Sequence, residues 1–273
     1  MPNIDQLLEP AITICQDAGR LIKAIYLENS YQSETKADDT LVTSADIAAH
    51  HQIIAALKRL SPEIPILSEE DADIAYEKRK QWSSYWIVDP LDGTQEFVAR
   101  SGDFASELAL IVDGEPVLGV VYGPMQDVCY FAVKGNGAFK RDSGGTKAIT
   151  VQQHHQHPAQ VHIAVSRVQK LAILHSGLDP EFDYRFTPLG SASLKSCLVA
   201  EGKADVYVRL GPTGEWDTAA PQIILREAGG DLQDLSMQPL SYNQRESLIN
   251  PNFAALGDLN LPWLKILAGL ERR

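Results

Sequence analysis

The chain has 273 residues, a formal net charge of −12 and a composition of 44% hydrophobic and 22% charged residues. This usage is typical of a globular protein, and the length suffices for one large α/β domain or for two lobes with substantial cores. The acidic balance argues against a nucleic-acid polymer as partner, because duplex binding depends on Lys and Arg contacts to phosphates. The apolar runs are too short to span a bilayer and the first residues lack a secretory signal, so we expect a soluble cytoplasmic protein.

Hydrophobic periodicity divides the chain into helices and strands. A helix is predicted between residues 7 and 25, and a second from about Asp46, its candidate cap, to Leu60. Strands are predicted at residues 64–67, 85–88, 108–112, 117–122 and 128–133, with a hairpin turn at Asp113-Gly114. A Gly- and Lys-rich segment at 140–147 and a polar loop precede a strand at 161–165, a helix from Ser191, a strand at 206–208 and a helix from Asp217. This order predicts a helix pair on a largely antiparallel sheet, followed by an α/β region.

The three cysteines, Cys15, Cys129 and Cys197, lie far apart in apolar surroundings. An odd number with this spacing does not form a disulfide framework. We predict small buried core residues in a reducing compartment.

The strand predicted at residues 85–88 ends in a turn that contains two carboxylates, Asp89-Pro90-Leu91-Asp92-Gly93-Thr94. Open α/β sheets bind ligands at the carboxyl ends of their strands. Two acids on a tight turn also offer the oxygen ligands that hard divalent cations prefer. Because Asp-Pro and Asp-Gly are ordinary turn dipeptides, a plain structural turn is the alternative.

Acids recur at two further places. Glu69, Glu70 and Asp71 follow the apolar run at 64–67. Clustered carboxylates raise one another's pKa values unless cations neutralise them, so metal ligation is the more economical interpretation. Asp217 precedes the apolar segment 219–228, where it is either another ligand or the N-cap of a helix.

Four blocks along the chain resemble the inositol monophosphatase superfamily. They are Lys36-Ala37-Asp38-Asp39-Thr40-Leu41-Val42-Thr43-Ser44-Ala45-Asp46, Ser68-Glu69-Glu70-Asp71, Asp89-Pro90-Leu91-Asp92-Gly93-Thr94 and Trp216-Asp217-Thr218-Ala219-Ala220. The resemblance implies an α/β (α+β) fold, a layered αβαβα sandwich of the inositol monophosphatase and fructose bisphosphatase type. It also implies an N-terminal lobe at 1–150 with most metal ligands, and a C-terminal lobe at 151–273 with the last ligand and the leaving-group pocket. The two lobes would form one catalytic unit.

Further blocks are similar to the 3′(2′),5′-bisphosphate nucleotidase branch. They are Thr94-Gln95-Glu96-Phe97, Gly190-Ser191-Ala192-Ser193-Leu194-Lys195, Arg209-Leu210-Gly211-Pro212-Thr213 and Glu246-Ser247-Leu248-Ile249-Asn250-Pro251. The chain departs from the branch pattern in three places. Ser166-Arg167-Val168-Gln169 stands where Ser-Arg-Ser-His is frequent, Ala105-Ser106-Glu107 where Thr-Val-Asn is frequent, and Pro221 where Gly is usual. These departures leave the exact substrate open and remove no expected metal ligand.

The resemblance implies a centre of two or three Mg²⁺ ions. Glu69, Asp89 and the Leu91 carbonyl would hold one ion. Asp89, Asp92 and Asp217 would hold a second, so Asp89 would bridge the two. With metals on both sides of the scissile bond, phosphate transfer to water needs no covalent enzyme intermediate.

The resemblance also assigns the proton path. Thr94 would position the attacking water and pass a proton to Asp46. Glu70 would assist through water at a third metal position, and Gly93 and Thr94 would contact the substrate. An ordinary structural hydrogen bond between hydroxyl and acid is the alternative for Thr94 and Asp46.

A second group of residues is expected to bind the leaving group. Gly190 and Ser191 precede a helix whose N-terminus would offer N–H groups to a phosphate or sugar oxygen. Lys195 lies one helical turn on and would neutralise the phosphate that is not cleaved. Arg209 would make a similar contact. The alternative is a capped helix with a solvated lysine.

Together these patterns indicate a Mg²⁺-dependent phosphomonoesterase that converts 3′-phosphoadenosine 5′-phosphate to AMP and phosphate, with the sulfated relative as a second substrate. Lithium inhibition and a place in sulfur metabolism follow from the resemblance. An inositol or fructose phosphatase is the alternative, and a non-catalytic regulator a further one. The sequence is compatible with a monomer or a homodimer. It is also compatible with peripheral association of the protein with the inner membrane face.

His154, His155 and His157 form a histidine cluster that could suggest a transition metal. The oxygen ligands of the main site are hard, and a His/Gln tract before proline is typical of an exposed loop. We therefore expect no metal there.

Overall fold

The fold is built from both helices and strands. The computed structural model describes residues 4–35, 41–154, 158, 160–167 and 170–270. The helices in these ranges are α1 (Ile4–Glu28), α2 (Ser44–Leu60), α3 (Tyr76–Arg79), α4 (Thr94–Val98), α5 (Leu171–His175), α6 (Ala192–Ala200), α7 (Ala219–Glu227) and α8 (Trp263–Ile266). The strands are β1 (Ser33–Thr35), β2 (Leu41–Thr43), β3 (Ile66–Ser68), β4 (Ser84–Asp92), β5 (Ala105–Val112), β6 (Glu115–Gly123), β7 (Val128–Val133), β8 (Ala138–Asp142), β9 (Gly145–Ile149), β10 (Gln160–Val165), β11 (Asp183–Pro188), β12 (Val206–Arg209), β13 (Asp231–Asp234) and β14 (Phe253–Leu256). A 3-10 turn spans Glu215–Asp217.

The first two long helices form the predicted pair. The N-cap of α2 is Thr43, whose hydroxyl accepts the N–H of Ala45 at 3.2 Å. The prediction that Asp46 caps this helix is wrong by three residues. Asp46 lies inside the first turn, and its carboxylate accepts the N–H of Thr43 at 2.7 Å. This reciprocal arrangement is a capping box, in which the acid stands three residues after the cap.

The larger sheet has the strand order β3-β4-β5-β6-β7-β8-β9 and is antiparallel except between β3 and β4. Side chains alternate between its two faces, as the strand period requires. Trp86 and Val88 belong to the core beneath α1 and α2, whereas Tyr85 and Ile87 belong to the core on the opposite face. The predicted helix pair on a largely antiparallel sheet is confirmed.

The hairpin of β8 and β9 is an element that the sequence pattern does not predict. It covers most of the Gly- and Lys-rich segment and pairs Asp142 with Gly145 across the turn. The hairpin lies at the edge of the sheet, and most of β9 is exposed. Because neither face of β9 is buried, no alternation of apolar residues marks it as a strand.

The smaller sheet has the order β11-β10-β12-β14-β13, with β10 parallel to both neighbours and β14 antiparallel to both of its own. α6 and α7 lie between the two sheets and share one core with both. α5 and α8 cover the outer face of the smaller sheet. The layers are therefore helix, sheet, helix, sheet, helix, and the predicted α/β layered sandwich is confirmed.

All three cysteines are buried and free, as predicted. Cys15 and Cys129 lie in the core beneath α1, whereas Cys197 lies in the core between the sheets. Burial raises the pKa of each thiol. Across the described ranges, the helices are too short or too polar to pass through a bilayer.

Candidate metal centre and active site

The last residues of β4 place two aspartates at the carboxyl end of a buried strand. The predicted turn at residues 89–92 is therefore wrong, because these residues form an irregular part of β4 itself. The ladder with β5 is regular up to Asp89 and resumes at Asp92, so the two residues between them form a bulge. Within the bulge, the N–H of Leu91 donates to Asp89 Oδ1 at 2.9 Å. Gly93 then adopts a φ of +94°, and a Cβ at this position would lie 3.1 Å from the Asp103 carbonyl oxygen. Glycine is therefore the residue that this turn accepts without strain.

Asp92 reaches across to the N-terminus of α6. Its Oδ2 accepts the N–H of Ser193 at 2.8 Å and the Ser193 hydroxyl at 2.6 Å, and its Oδ1 accepts the N–H of Ala192 at 3.2 Å. The Ser191 hydroxyl also donates to Asp92 and accepts the N–H of Leu194 at 3.0 Å. A negative charge is favourable at this end of a helix. The N–H groups that the sequence suggested for a phosphate are thus occupied by acceptors of the protein itself.

Asp217, at the end of the 3-10 turn, lies near Asp89 and Asp92. Its Oδ2 accepts the N–H of Gly214 at 2.5 Å. The residue that flanks the start of α7 is Thr218. The alternative of Asp217 as the N-cap of that helix is therefore wrong, and its second carboxylate oxygen can serve another partner.

Four carboxylates meet at this point. One oxygen of each lies within 4.8 Å of the others, the four residues being Asp89, Asp92, Glu107 and Asp217. Burial raises the pKa of Asp89, Glu107 and Asp217 well above their ordinary values, and repulsion from neighbouring acids raises these pKa values further. Hard oxygen ligands at this spacing fit Mg²⁺, whose charge would offset the repulsion. The donor set therefore fits the metal that the resemblance implies.

Glu69 and Glu70 lie beside this cluster. The N–H of Glu69 donates to the Val88 carbonyl at 3.1 Å, which continues the parallel pairing of β3 and β4. The carboxyl ends of the two strands are thus neighbours, and the charge of Glu69 helps to raise the pKa of Asp89. The charge of Glu70 helps to raise the pKa of Asp46. The ligand roles of Glu69 and the Leu91 carbonyl remain predictions.

A chain of hydrogen bonds leads from the site to the start of α2. The Thr94 hydroxyl donates to Asp46 Oδ1 at 2.9 Å, and the Thr43 hydroxyl donates to Asp46 Oδ2 at 2.5 Å. Burial raises the pKa of Asp46, and the hydrogen bonds from Thr43 and Thr94 oppose this rise. Asp46 and Thr94 are 48 residues apart in sequence, and the fold brings them together as predicted.

Lys195 is buried rather than solvated, with 2% of its surface exposed. Its ammonium group donates to the carbonyls of Ser191 at 2.5 Å and Leu189 at 3.3 Å, and lies 4.8 Å from the centre of the Tyr207 ring. Burial lowers the pKa of Lys195 to about 8. The alternative of a solvated lysine is therefore wrong.

Arg209, on β12, interacts with the neighbouring Tyr207 side chain and with a backbone carbonyl. Its Nη2 donates to the Pro212 carbonyl at 3.1 Å, while its buried Nε has no hydrogen bond of ordinary geometry among the described residues. The charge of Arg209 lowers the pKa values of Asp217 and Lys195, so the three side chains are close enough to interact electrostatically.

Gly190 is held by a residue that the sequence did not single out. Its N–H donates at 3.0 Å to Asp103, which also accepts Arg167 Nε at 2.8 Å. A Cβ on Gly190 would lie 2.5 Å from the side chain of Glu96. Gly190 is therefore required for the close approach of this loop to α4. Val168 and Gln169, where the chain departs from the branch pattern, lie outside the described residues.

Of the three histidines in the tract, the structure describes His154, which is not one of the residues of the carboxylate cluster. His154 Nε2 lies 2.7 Å from Asp205 Oδ1, and the N–H of His154 donates to Asp258 at 2.8 Å. These contacts account for His154 without a metal. His155 and His157 lie outside the described residues.

Comparisons with known proteins agree with this architecture. The family model described as "Inositol monophosphatase family" matches residues 3–260. A 3′(2′),5′-bisphosphate nucleotidase CysQ of Aggregatibacter actinomycetemcomitans is 43% identical over 260 residues, covering 95% of this chain and 96% of the relative. The CysQ of Escherichia coli K12 is 43% identical over 248 residues, covering 90% and 98%. The crystal structure of CysQ from Bacteroides thetaiotaomicron, a bacterial member of the family, superposes with a TM-score of 0.77 at 36% identity, covering 90% and 95%. The chain belongs to the inositol monophosphatase family.

Proposed function

We propose that the protein is a metal-dependent phosphomonoesterase that hydrolyses 3′-phosphoadenosine 5′-phosphate to AMP and phosphate. The observation that carries this proposal is the similarity, over most of the chain, to relatives named 3′(2′),5′-bisphosphate nucleotidase. The cluster of four buried carboxylates supports the metal dependence. 3′-Phosphoadenylyl sulfate, which carries the same 3′-phosphate, is proposed as a second substrate.

Mg²⁺ is the proposed cofactor, in two or three positions, and when bound it activates water and neutralises phosphate charge. Asp89, Asp92 and Asp217 would hold it, together with Glu69 and the Leu91 carbonyl. The bulge near the end of β4 and the hydrogen bonds of Asp92 to α6 fix two of these carboxylates before any ion arrives. Such pre-organisation lowers the cost of assembling the site during the reaction.

Thr94 and Asp46 are the proposed proton path. The Thr94 hydroxyl has two acceptors, Asp46 at 2.9 Å and the Leu91 carbonyl at 3.3 Å, and we propose that its single proton goes to the nearer Asp46. The Thr94 oxygen is then left to accept a hydrogen bond from the attacking water. Asp46 takes up the proton that this water loses, and its raised pKa favours that uptake. Glu70, close to Asp46, is proposed to assist through a further water.

The leaving group is proposed to bind on the α6 side of the cluster. Arg209 offers its guanidinium group to the phosphate that is not cleaved. Lys195 supplies positive charge from behind Ser191, which it holds through the Ser191 carbonyl. Gly93 and Gly190 are proposed to contact the nucleotide with their backbone, and close packing against the protein explains why neither carries a side chain.

We also propose the biological setting. Residues 1–150 and 151–273 would act as two lobes of one catalytic unit, acting on a small nucleotide in the cytoplasm as part of sulfur metabolism. Lithium would inhibit the enzyme, as the family resemblance implies.

The test is phosphate release with Mg²⁺ from 3′-phosphoadenosine 5′-phosphate, inositol 1-phosphate and fructose 1,6-bisphosphate in parallel, each repeated with lithium. A strong preference for the nucleotide is expected. Preference for a sugar or inositol phosphate would keep the metal centre and overturn the nucleotide assignment. Inactivity on all three substrates would refute the phosphatase proposal.

A further inference from the structure

Glu107 is a buried acid that the proposed mechanism does not yet use. It stands on β5 directly opposite Asp89 on β4. Directly paired residues of antiparallel strands project to the same face of the sheet, so the two carboxylates are neighbours. The face concerned is the one that packs against α6 and α7 and carries the metal cluster.

Among the described residues, the Glu107 carboxylate has no hydrogen bond of ordinary geometry. Only 1% of the residue is exposed. The Ser193 hydroxyl is close enough to Glu107 to oppose the rise of its pKa, but it gives its single proton to Asp92 at 2.6 Å. Leaving a buried carboxylate without hydrogen bonds is costly, and buried charges in proteins are normally paired or bound to a metal.

The position of Glu107 matches that of a ligand. One of its oxygens lies within 4.8 Å of oxygens of Asp89, Asp92 and Asp217. Two oxygens bound to one Mg²⁺ are separated by about 3–4 Å, so only small movements would bring Glu107 into coordination. The other three acids each accept a hydrogen bond from a backbone N–H group. The donors are Leu91 for Asp89, Ser193 for Asp92 and Gly214 for Asp217. Glu107 alone of the four keeps both oxygens free.

We propose that Glu107 is a direct carboxylate ligand of the metal centre, in addition to the acids of the recurrent motifs. The chain would then hold its ions with one more negative charge than a protein with asparagine at this position. This inference rests on the proposed metal centre. It predicts tighter cation binding than the motif acids alone would give.

The first test is Mn²⁺ binding, followed by the electron paramagnetic resonance signal of free Mn²⁺ without substrate. Glu107→Gln keeps the shape and removes the charge, and Glu107→Asn introduces the residue frequent in the nucleotidase branch. We expect both variants to bind Mn²⁺ at least about tenfold more weakly, as the loss of a ligand or its support typically costs. The control is Glu115→Gln, an exposed acid at the start of β6, which should bind as the unaltered protein does.

The Mn²⁺ experiment distinguishes failure of the role of Glu107 from failure of the metal centre. If the unaltered protein binds Mn²⁺ and Glu107→Gln binds it equally well, Glu107 is not a ligand, although the centre stands. If the unaltered protein binds no Mn²⁺ at millimolar concentration, the proposed centre fails, and the role of Glu107 fails with it.

A second test needs no variant and therefore does not depend on whether the substituted chains fold. Crystals of the unaltered protein soaked in Mn²⁺ would locate the ions by anomalous scattering. We expect a Glu107 oxygen in direct coordination, at a distance of roughly 2.0–2.3 Å. Ions bound by the other acids, with Glu107 outside their coordination shell, would overturn the proposal.

Discussion

The role of the Thr94 hydroxyl group can be tested by a single substitution. The hydroxyl donates to Asp46, and Thr94→Ala removes it without removing a carboxylate. We expect kcat to fall about a hundredfold with KM nearly unchanged, as for the loss of a proton-transfer group. Steady-state kinetics would measure this, with Thr94→Ser as the control that keeps the hydroxyl.

The same pair allows a stricter test of the proton path. If Thr94 and Asp46 act as one unit, the double variant Thr94→Ala with Asp46→Asn should be no slower than the slower single variant. Additive losses would mean that the two residues act separately.

Lys195 gives a pH dependence of stability with a defined sign. Its pKa in the folded chain is lowered to about 8, from an ordinary value of 10.5. The unfolded chain therefore binds more protons between these two pH values, and stability rises as pH increases through this window. The unaltered protein should gain up to about 3 kcal/mol relative to Lys195→Met between pH 8 and 10.5.

Denaturant unfolding at several pH values, in the presence of a chelator, measures this difference. The comparison with Lys195→Met cancels the titration of other groups. A difference that does not change over the window would show that Lys195 is not desolvated.

The site residues differ in how far the sequence could reveal them. Asp89, Asp92 and Asp217 follow apolar runs or stand in short motifs, and the structure brings all three together. Glu107 stands inside the strand, where a lone acid among apolar residues gives no sign of its neighbours. Its role depends on the register with Asp89, which is a long-range property that a single sequence does not show.

At the scale of elements, α6 depends on an acid from another part of the chain. Asp92 accepts the N–H groups of Ala192 and Ser193 and two serine hydroxyls. The helix start is thus tied to the end of β4. A substitution at Asp92 should disturb both the metal centre and the helix.

Asp92→Asn tests this double dependence. An amide carries donors that would face the donors of α6, and it loses the charge that binds cations. We expect turnover to fall at least about a thousandfold, equivalent to about 4 kcal/mol of transition-state stabilisation, together with weaker Mg²⁺ binding. The control is Asp113→Asn in the β5–β6 hairpin, where φ is +51° and asparagine is tolerated. Near-normal activity of Asp92→Asn would contradict the metal assignment.

Elements with a buried face were predictable, and exposed ones were not. α1 and β4 to β7 carry regular apolar patterns and were found close to their predicted bounds. β9 is exposed along most of its length and carries none. The cap of α2 was misplaced because both Thr43 and Asp46 are good capping residues, and only the geometry shows which one precedes the helix.

At the scale of the whole molecule, the carboxylate cluster joins distant parts of the chain. Asp89, Asp92 and Glu107 belong to the larger sheet, whereas Asp217 lies next to α7, in the layer between the sheets. Without cations these acids repel one another across the junction of the layers. Metal should therefore stabilise the fold as a whole.

Thermal unfolding measures that stabilisation. A ligand at 100 times its Kd adds about 2.7 kcal/mol, which for a chain of this size raises Tm by about 5–10 °C. Mg²⁺ should produce such a rise, and NaCl at equal ionic strength should not. Asp217→Asn should reduce the rise, and an equal response to both salts would argue against a specific site.

The three buried thiols can report local unfolding of this protein. Thiolates are the reactive form of cysteine, and burial both hides the three sulfur atoms and keeps them protonated. Alkylating reagents should therefore react only when a layer of the sandwich separates. Because Cys15 and Cys129 lie beneath α1 and Cys197 lies between the sheets, the order in which they are labelled would show which layer of helices lifts first.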